Sequence, residues 1–276
     1  MATTDVDDVL NFFNSDNYKT INNEINELRK KAHIKGYELL KLLNKNNLNL
    51  VTTESLTAGL IFSTLVDIPR LGGHKYGCFG VYDTDAKKKF NEVTTEHVYS
   101  HKCVKQMCSG ALKKSNACIS LAVSGNAMPI PIDKEYVGEV FFGICAYKKS
   151  NNKIIAKTYL ENFCNDKCDN WFNTTKPGDK PEYASIDETY KINQFIRYST
   201  VIKSYELLID FINSKNAEIK QISDIKNIDC DDIKCNNEIE RKKYKPTSSN
   251  SNKTTGGKNT KKYKRYFKTT RKHFNR

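Results

Sequence analysis

The stretch from Leu48 to Val66 constrains the fold more than any other part of the chain. Leu48-Asn49-Leu50-Val51 reads as a short strand and Glu54-Ser55-Leu56-Thr57-Ala58-Gly59 as a polar turn. Leu60-Ile61-Phe62-Ser63-Thr64-Leu65-Val66 then reads as an apolar helix that stops before Pro69. An amphipathic pattern precedes this stretch: Ile21, Ile25, Leu28 and Ala32, then Leu39, Leu42 and Leu43, recur at helical spacing with charges between them, and Gly36 marks an interruption. Helix, strand, turn and helix in succession open an α/β layer arrangement.

The chain continues in kind. Tyr76 to Tyr82 is an aromatic strand candidate, Lys102 to Leu112 is helical, and Cys118 to Val123 is a continuous apolar run suited to a buried strand. Val137 to Tyr147 gives a further strand, with Gly138 and Gly143 at points of close backbone approach, and Lys153 to Tyr159 pairs with it across Ser150-Asn151-Asn152. Periodicity is lost between Leu160 and Tyr190, which predicts an insertion at about 161–190. A last amphipathic helix runs from about Asn193 to Asn213, with Phe195, Ile196, Ile202, Leu207, Leu208, Phe211 and Ile212 on its apolar face. The expectation is an irregular N-terminus over 1–17, an α/β domain over 18–214, and a polar, basic, largely disordered tail over 215–276. Isolated Ile residues between Ile219 and Ile239 allow one short helix against the core.

Charge supports that division. The net charge is +13, yet 14 Lys and Arg with no Asp or Glu fall between Arg241 and Arg276, so residues 1–240 are close to neutral. The closing segment alternates cations with Tyr263, Tyr266, Phe267 and Phe274, as a segment contacting nucleic acid does. Targeting, or docking to an acidic partner, are the other uses of such a tail. Nine scattered cysteines and an N-terminus carrying Asp5, Asp7 and Asp8 point to a reducing, intracellular compartment, cytoplasmic by default, with free thiols. Cys164-x3-Cys168 and Cys230-x4-Cys235 lack the usual CxxC spacing of a zinc site, so neither metal nor cofactor is expected. No apolar run approaches the ~18 residues of a membrane span, and no membrane role is expected.

By local rules Ser55 is either a helix cap or a hydroxyl beside free N–H groups and a positive helix end, which suit a phosphate or an oxyanion. Lys87 heads the run Lys87-Lys88-Lys89, ordinarily a solvated helix face, and Tyr82 alone would be a half-buried strand aromatic. The surrounding pattern selects among these readings. Thr53-Glu54-Ser55-Leu56-Thr57-Ala58-Gly59 resembles the A-E-S-C-T-G-G segment, and Val81-Tyr82-Asp83-Thr84-Asp85-Ala86-Lys87 the T-Y-S-N-E-A-K segment, of the CinA C-terminal family of nicotinamide-nucleotide amidases. Ser100 with Met107 and Gly110-Ala111-Leu112 resembles that family's V-S and M-A-x-G-A-L helix, Ser124-Gly125-Asn126-Ala127-Met128-Pro129 its T-G-I-A-G-P loop, and Val137-Gly138 the V-G of its next strand. Tyr82 lies 27 residues after Ser55 and Lys87 five after Tyr82, as in active members. The resemblance covers about residues 33–160 and resumes at the final helix; it implies a central mixed sheet flanked by helices.

The activity implied is hydrolysis of nicotinamide mononucleotide to nicotinic acid mononucleotide and ammonia. Ser55 would attack the amide carbon while Tyr82 and Lys87 relay the proton, either of them serving as base. His33, His74, His97, His101 and His273 sit in none of these motifs, so the centre is Ser-Tyr-Lys rather than Ser-His-Asp. The resemblance further implies that Thr57, Ala58 and Gly59 donate to substrate at the helix start, that Gly125 and Asn126 line the opposite wall, and that Arg197 meets a phosphate. The partner is then a small nucleotide, with homo-oligomerisation open. Departures bear on the pocket. Ala58 stands where the family has glycine, Met128-Pro129-Ile130-Pro131 replaces a glycine-rich loop, and Glu135-Tyr136 replaces Lys-Pro. These leave a second reading, a catalytically silent CinA-like binding module whose basic tail contacts nucleic acid or an acidic partner.

Overall fold

The structure, a computed structural model, describes residues 6–129, 137–164 and 185–225. Five strands form one mixed sheet: β1 (Leu50–Glu54), β2 (Lys75–Gly80), β3 (Ile119–Gly125), β4 (Glu139–Tyr147) and β5 (Ile154–Asn162). Their order is β2-β1-β3-β4-β5. β1 runs parallel to both β2 and β3, whereas β3/β4 and β4/β5 are antiparallel. The hairpin expected across Ser150–Asn152 is the β4/β5 pair, running from Tyr147 opposite Ile154 to Glu139 opposite Asn162.

Helices cover both faces because neighbouring residues of the central strands point to opposite sides. Leu50, Ile119, Leu121, Val123, Phe142 and Ile144 pack against α2 (Asp16–Lys45), α3 (Leu60–Val66) and α6 (Ile186–Lys215). Val51, Ala122, Phe141 and Cys145 face the other way, onto α4 (Thr84–Asn91) and α5 (His101–Lys113). The long helices are capped as their sequences dictate. The Ser15 hydroxyl accepts from the Tyr18 N–H to open α2, the Ser100 hydroxyl from the Cys103 N–H to open α5, and Ser185 and Glu188 form a reciprocal capping box at α6.

Four expectations are corrected. The described part of the stretch expected to be irregular is helical, α1 (Val6–Phe13), because Phe12 is buried in an aromatic cluster with Tyr18 and Tyr190. α2 passes through Gly36 unbroken, since a Cβ there would lie 3.1–3.2 Å from Ile68, Leu65 and Tyr205: the glycine lets helices approach and does not end one. β5 extends to Asn162 and α6 begins at Ile186, so regular structure takes up both ends of the expected insertion. The fold also continues past residue 214. Lys149 N–H donates to Glu218 O at 2.7 Å, Lys220 N–H to Tyr147 O at 3.0 Å, and a short α7 (Ile222–Ile225) buries Ile225. The remaining tail, with Cys168, Cys230, Cys235, Glu135 and Tyr136, lies outside the described residues.

Cys78, Cys103, Cys108, Cys118 and Cys145 are free thiols, all buried but Cys78. Cys164 is disulfide-bonded, where a free thiol was the default expectation. Among the described residues no group of three His, Cys, Asp or Glu could hold a metal ion, and no helix is long and apolar enough to cross a membrane.

Candidate active site

The three parallel strands all end on one edge of the sheet, and in open α/β sheets such carboxyl ends are where ligands bind. Ser55 directly follows β1, Tyr82 lies two residues past β2 and Asn126 directly follows β3. Lys87 comes in from α4 and Asn193 from the first turns of α6. A cavity of about 130 Å³ lies among them, lined by Ser55, Tyr82, Lys87, Gly125 and Asn126 together with Leu56, Thr84, Val98, Tyr99, Ala127, Met128 and Asn193. Thr57, Ala58, Gly59 and Arg197 are not part of its lining.

The turn after β1 explains that exclusion. Glu54 is wholly buried, and its carboxylate accepts from the Thr52 hydroxyl at 2.8 Å, the Thr57 hydroxyl at 2.8 Å, and the N–H groups of Gly59, Ile61 and Phe62 at 2.9, 3.1 and 3.0 Å. An internal anion thus occupies the positive start of α3. The Thr57 hydroxyl and the Gly59 N–H, expected to donate to a substrate, are directed inward to Glu54 instead. Nor does Ser55 cap α3. The cap position is Gly59, in a left-handed conformation, and the capping acceptor is Glu54. Ala58 is also left-handed, at φ 50°, where glycine is favoured. Its backbone N–H donates to Ser55 O at 3.0 Å. Glu54 was missed from sequence; a lone acidic residue leaving a strand just ahead of an apolar helix is the signal that identifies it.

Ser55 is buried against the sheet, and its N–H extends the β1/β3 ladder by donating to Val123 O at 3.2 Å. Lys87 is buried too, 2% exposed, so it is not the solvated helix face its three-lysine run suggests. Its ammonium donates to the backbone carbonyl of Tyr82 at 2.7 Å. Burial pulls its pKa below the ordinary 10.5, against the opposing influences of Cys103 and Asp83. Tyr82 is 68% exposed, with its ring at the lip of the cavity.

On the opposite wall, Gly125 is required by close approach, because a Cβ there would sit 2.3 Å from Glu139 O. Asn126 is fixed by its neighbours. Its N–H donates to Glu139 O, its carbonyl accepts from Gly138 N–H, and its side-chain oxygen accepts from Met128 N–H at 2.9 Å. That last bond identifies which end of the amide is oxygen, and Nδ2 is left without a partner. Met128 rises at the rim, its sulfur accepting from Asn193 Nδ2 at 3.1 Å. Asn193 gave no sequence signal, since only the packing of α6 brings it to the loop. Arg197, one turn on, donates to Thr57 O at 3.0 Å and braces the β1–α3 turn from outside the cavity.

The likeness of this chain to known proteins converges on one family. The profile of the CinA C-terminal domain matches residues 35–170. A CinA-like protein of Fervidobacterium nodosum is 38% identical over 136 residues, which cover 47% of this chain and 32% of that protein. The chain therefore spans about a third of that relative's length. The MG115 homolog of Mycoplasma pneumoniae is 33% identical over 115 residues, 40% of this chain and 73% of that protein. A CinA superfamily protein from Klebsiella pneumoniae, with a solved structure, superposes with a TM-score of 0.50 at 20% identity over 67% of this chain and 98% of that chain, a likeness of fold. On the profile and on the extent of the Mycoplasma pneumoniae match, the chain belongs to the CinA C-terminal domain family.

Proposed function

We propose that the chain is an amidohydrolase that deamidates nicotinamide mononucleotide, with Ser55, Tyr82 and Lys87 as its reactive centre. The observation that carries the reading is that these three residues, from three different elements, line one cavity at the carboxyl ends of the parallel strands. A primary alcohol needs a base to become nucleophilic, and burial supplies one by favouring the neutral amine of Lys87. Lys87 takes the Ser55 proton as Oγ bonds to the carboxamide carbon. The proton then passes, directly or over the Tyr82 hydroxyl, to the amide nitrogen as the C–N bond breaks and ammonia leaves. Water cleaves the resulting ester by the same base and restores Ser55.

The test is ammonia release from nicotinamide mononucleotide by the purified chain, with Ser55→Ala alongside. The expected outcome is turnover in the parent and a loss of about 10³-fold or more in the variant, with thermal stability unchanged. Equal turnover in both would show that the nucleophile is another residue. A second reading, a silent binding module, is favoured by one observation: the helix start that could take a phosphate is filled by Glu54. Binding of the nucleotide without release of ammonia is its signature.

A further inference from the structure

Two buried donors on residues that line the cavity have no anionic hydrogen-bond partner among the described residues. Lys87, buried, gives its one hydrogen bond among the described residues to the neutral carbonyl of Tyr82. Asp83, which acts on Lys87 through its charge, spends its carboxylate on the Asp85 N–H at 2.7 Å. Asn126, 6% exposed, uses its oxygen on Met128 N–H and leaves Nδ2 unpaired. Among the described residues no Asp or Glu lines the cavity. A buried cation with no anion hydrogen-bonded to it is disfavoured, as is a buried donor without an acceptor. A ligand that brings acceptors and negative charge relieves both.

A carboxamide brings one acceptor and two donors, whereas a carboxylate brings acceptors only, with a charge opposite to that of Lys87. Size agrees with a ring-bound group. An apolar cavity of about 150 Å³ holds one benzene, so the 130 Å³ here takes one six-membered ring and leaves the rest of a nucleotide in the open mouth. We infer that this cavity is an aromatic-carboxylate site, which holds the acid product of the proposed reaction more tightly than its amide substrate. The source of that acid rests on the amidase reading; the binding preference does not. The chemistry leaves the pair in place: when water cleaves the Ser55 ester, one of its protons returns to Oγ and the other ends on Lys87. The acid therefore forms as a carboxylate facing an ammonium, and its departure must break that pair. Turnover is then restrained by its own product.

The experiment uses the full chain carrying Ser55→Ala, titrated calorimetrically with nicotinic acid mononucleotide and, separately, with nicotinamide mononucleotide. The acid is expected to bind about 10- to 100-fold tighter, the worth of a hydrogen bond to a charged group. Lys87→Met on the same background is expected to erase the difference, and Lys87→Gln gives the same comparison should the Met variant not fold. An acid preference that Lys87→Met removes supports the inference whether or not the parent chain releases ammonia. Equal affinities, a preference for the amide, no binding of either ligand, or a preference that survives Lys87→Met overturns it. Equal affinities in a chain that does release ammonia overturn this inference alone and leave the amidase standing.

Discussion

Glu54 and Lys87 are two buried charges at the carboxyl edge of one sheet, and the protein treats them in opposite ways. Glu54 is surrounded by six donors from its own strand, the turn and helix that follow, and the Cys78 thiol of β2. Among the described residues Lys87 has one neutral hydrogen-bond acceptor, and it lines a cavity. A buried charge whose partners all come from the fold contributes to the fold, whereas one left largely unpartnered has its stabilisation still to come from something outside it. The difference separates the scaffold of the site from its chemistry. It also explains why Glu54 and Ser55, adjacent in sequence, are not interchangeable, since the first builds the turn and the second lines the cavity.

The largest test of that contrast is Glu54→Ala. It strips the acceptor from three backbone N–H groups and two hydroxyls at once, and each unsatisfied buried donor costs about 1–3 kcal/mol. A loss on the order of 3 kcal/mol or more in urea unfolding is expected, with Glu54→Gln falling between it and the parent because the amide keeps one acceptor. A variant as stable as the parent would mean that the carboxylate network contributes nothing. Thr57→Val is the sharper and smaller version. It keeps shape and removes one hydroxyl donor to a charged group, for a cost of about 1.5–3 kcal/mol. Affinity for nicotinic acid mononucleotide, measured by calorimetry, should be unaltered. Weakened binding at unaltered stability would return Thr57 to the substrate's side of the turn.

Much of this was legible in the sequence because periodicity reports burial. Leu50-Val51 before a polar turn, the apolar run at Cys118–Val123 and the β4/β5 pair with its Asn-rich connection all form as their patterns imply. That Ser55, Tyr82 and Lys87 border one cavity was legible only through motif spacing, since no local rule distinguishes a buried Lys87 from the exposed Lys88 and Lys89 beside it. What was not legible depends on tertiary contact. Gly36 reads as a breaker unless α3 and Tyr205 are known to press on it. The inward use of Thr57 and Gly59 is set by where the Glu54 side chain turns, and a strand-end carboxylate has no pattern that reveals its rotamer. Phe12 looks like part of an irregular leader until Tyr190, far along the chain, is brought beside it.

The smallest expected effect concerns Lys87 and is fixed in sign by linkage. Because burial lowers its pKa in the fold, Lys87 loses its proton there at a pH where the unfolded chain, at 10.5, still holds one. Between those two values the unfolded state binds more protons, so stability rises with pH through that window; below the folded value the full cost of a buried ammonium is present and constant. Lys87→Met removes this slope. Whatever fixed offset follows from losing the hydrogen bond to Tyr82, the stability of the variant minus that of the parent should decline as pH climbs toward 10.5. Thermal melting of both chains across that range reads it directly. On the proposed mechanism the neutral amine is the base, so kcat/KM for the amide is expected to rise with pH along a limb centred below 10.5. A limb centred at or above that value, or a stability difference that does not vary with pH, would place the Lys87 ammonium in water and end its contrast with Glu54.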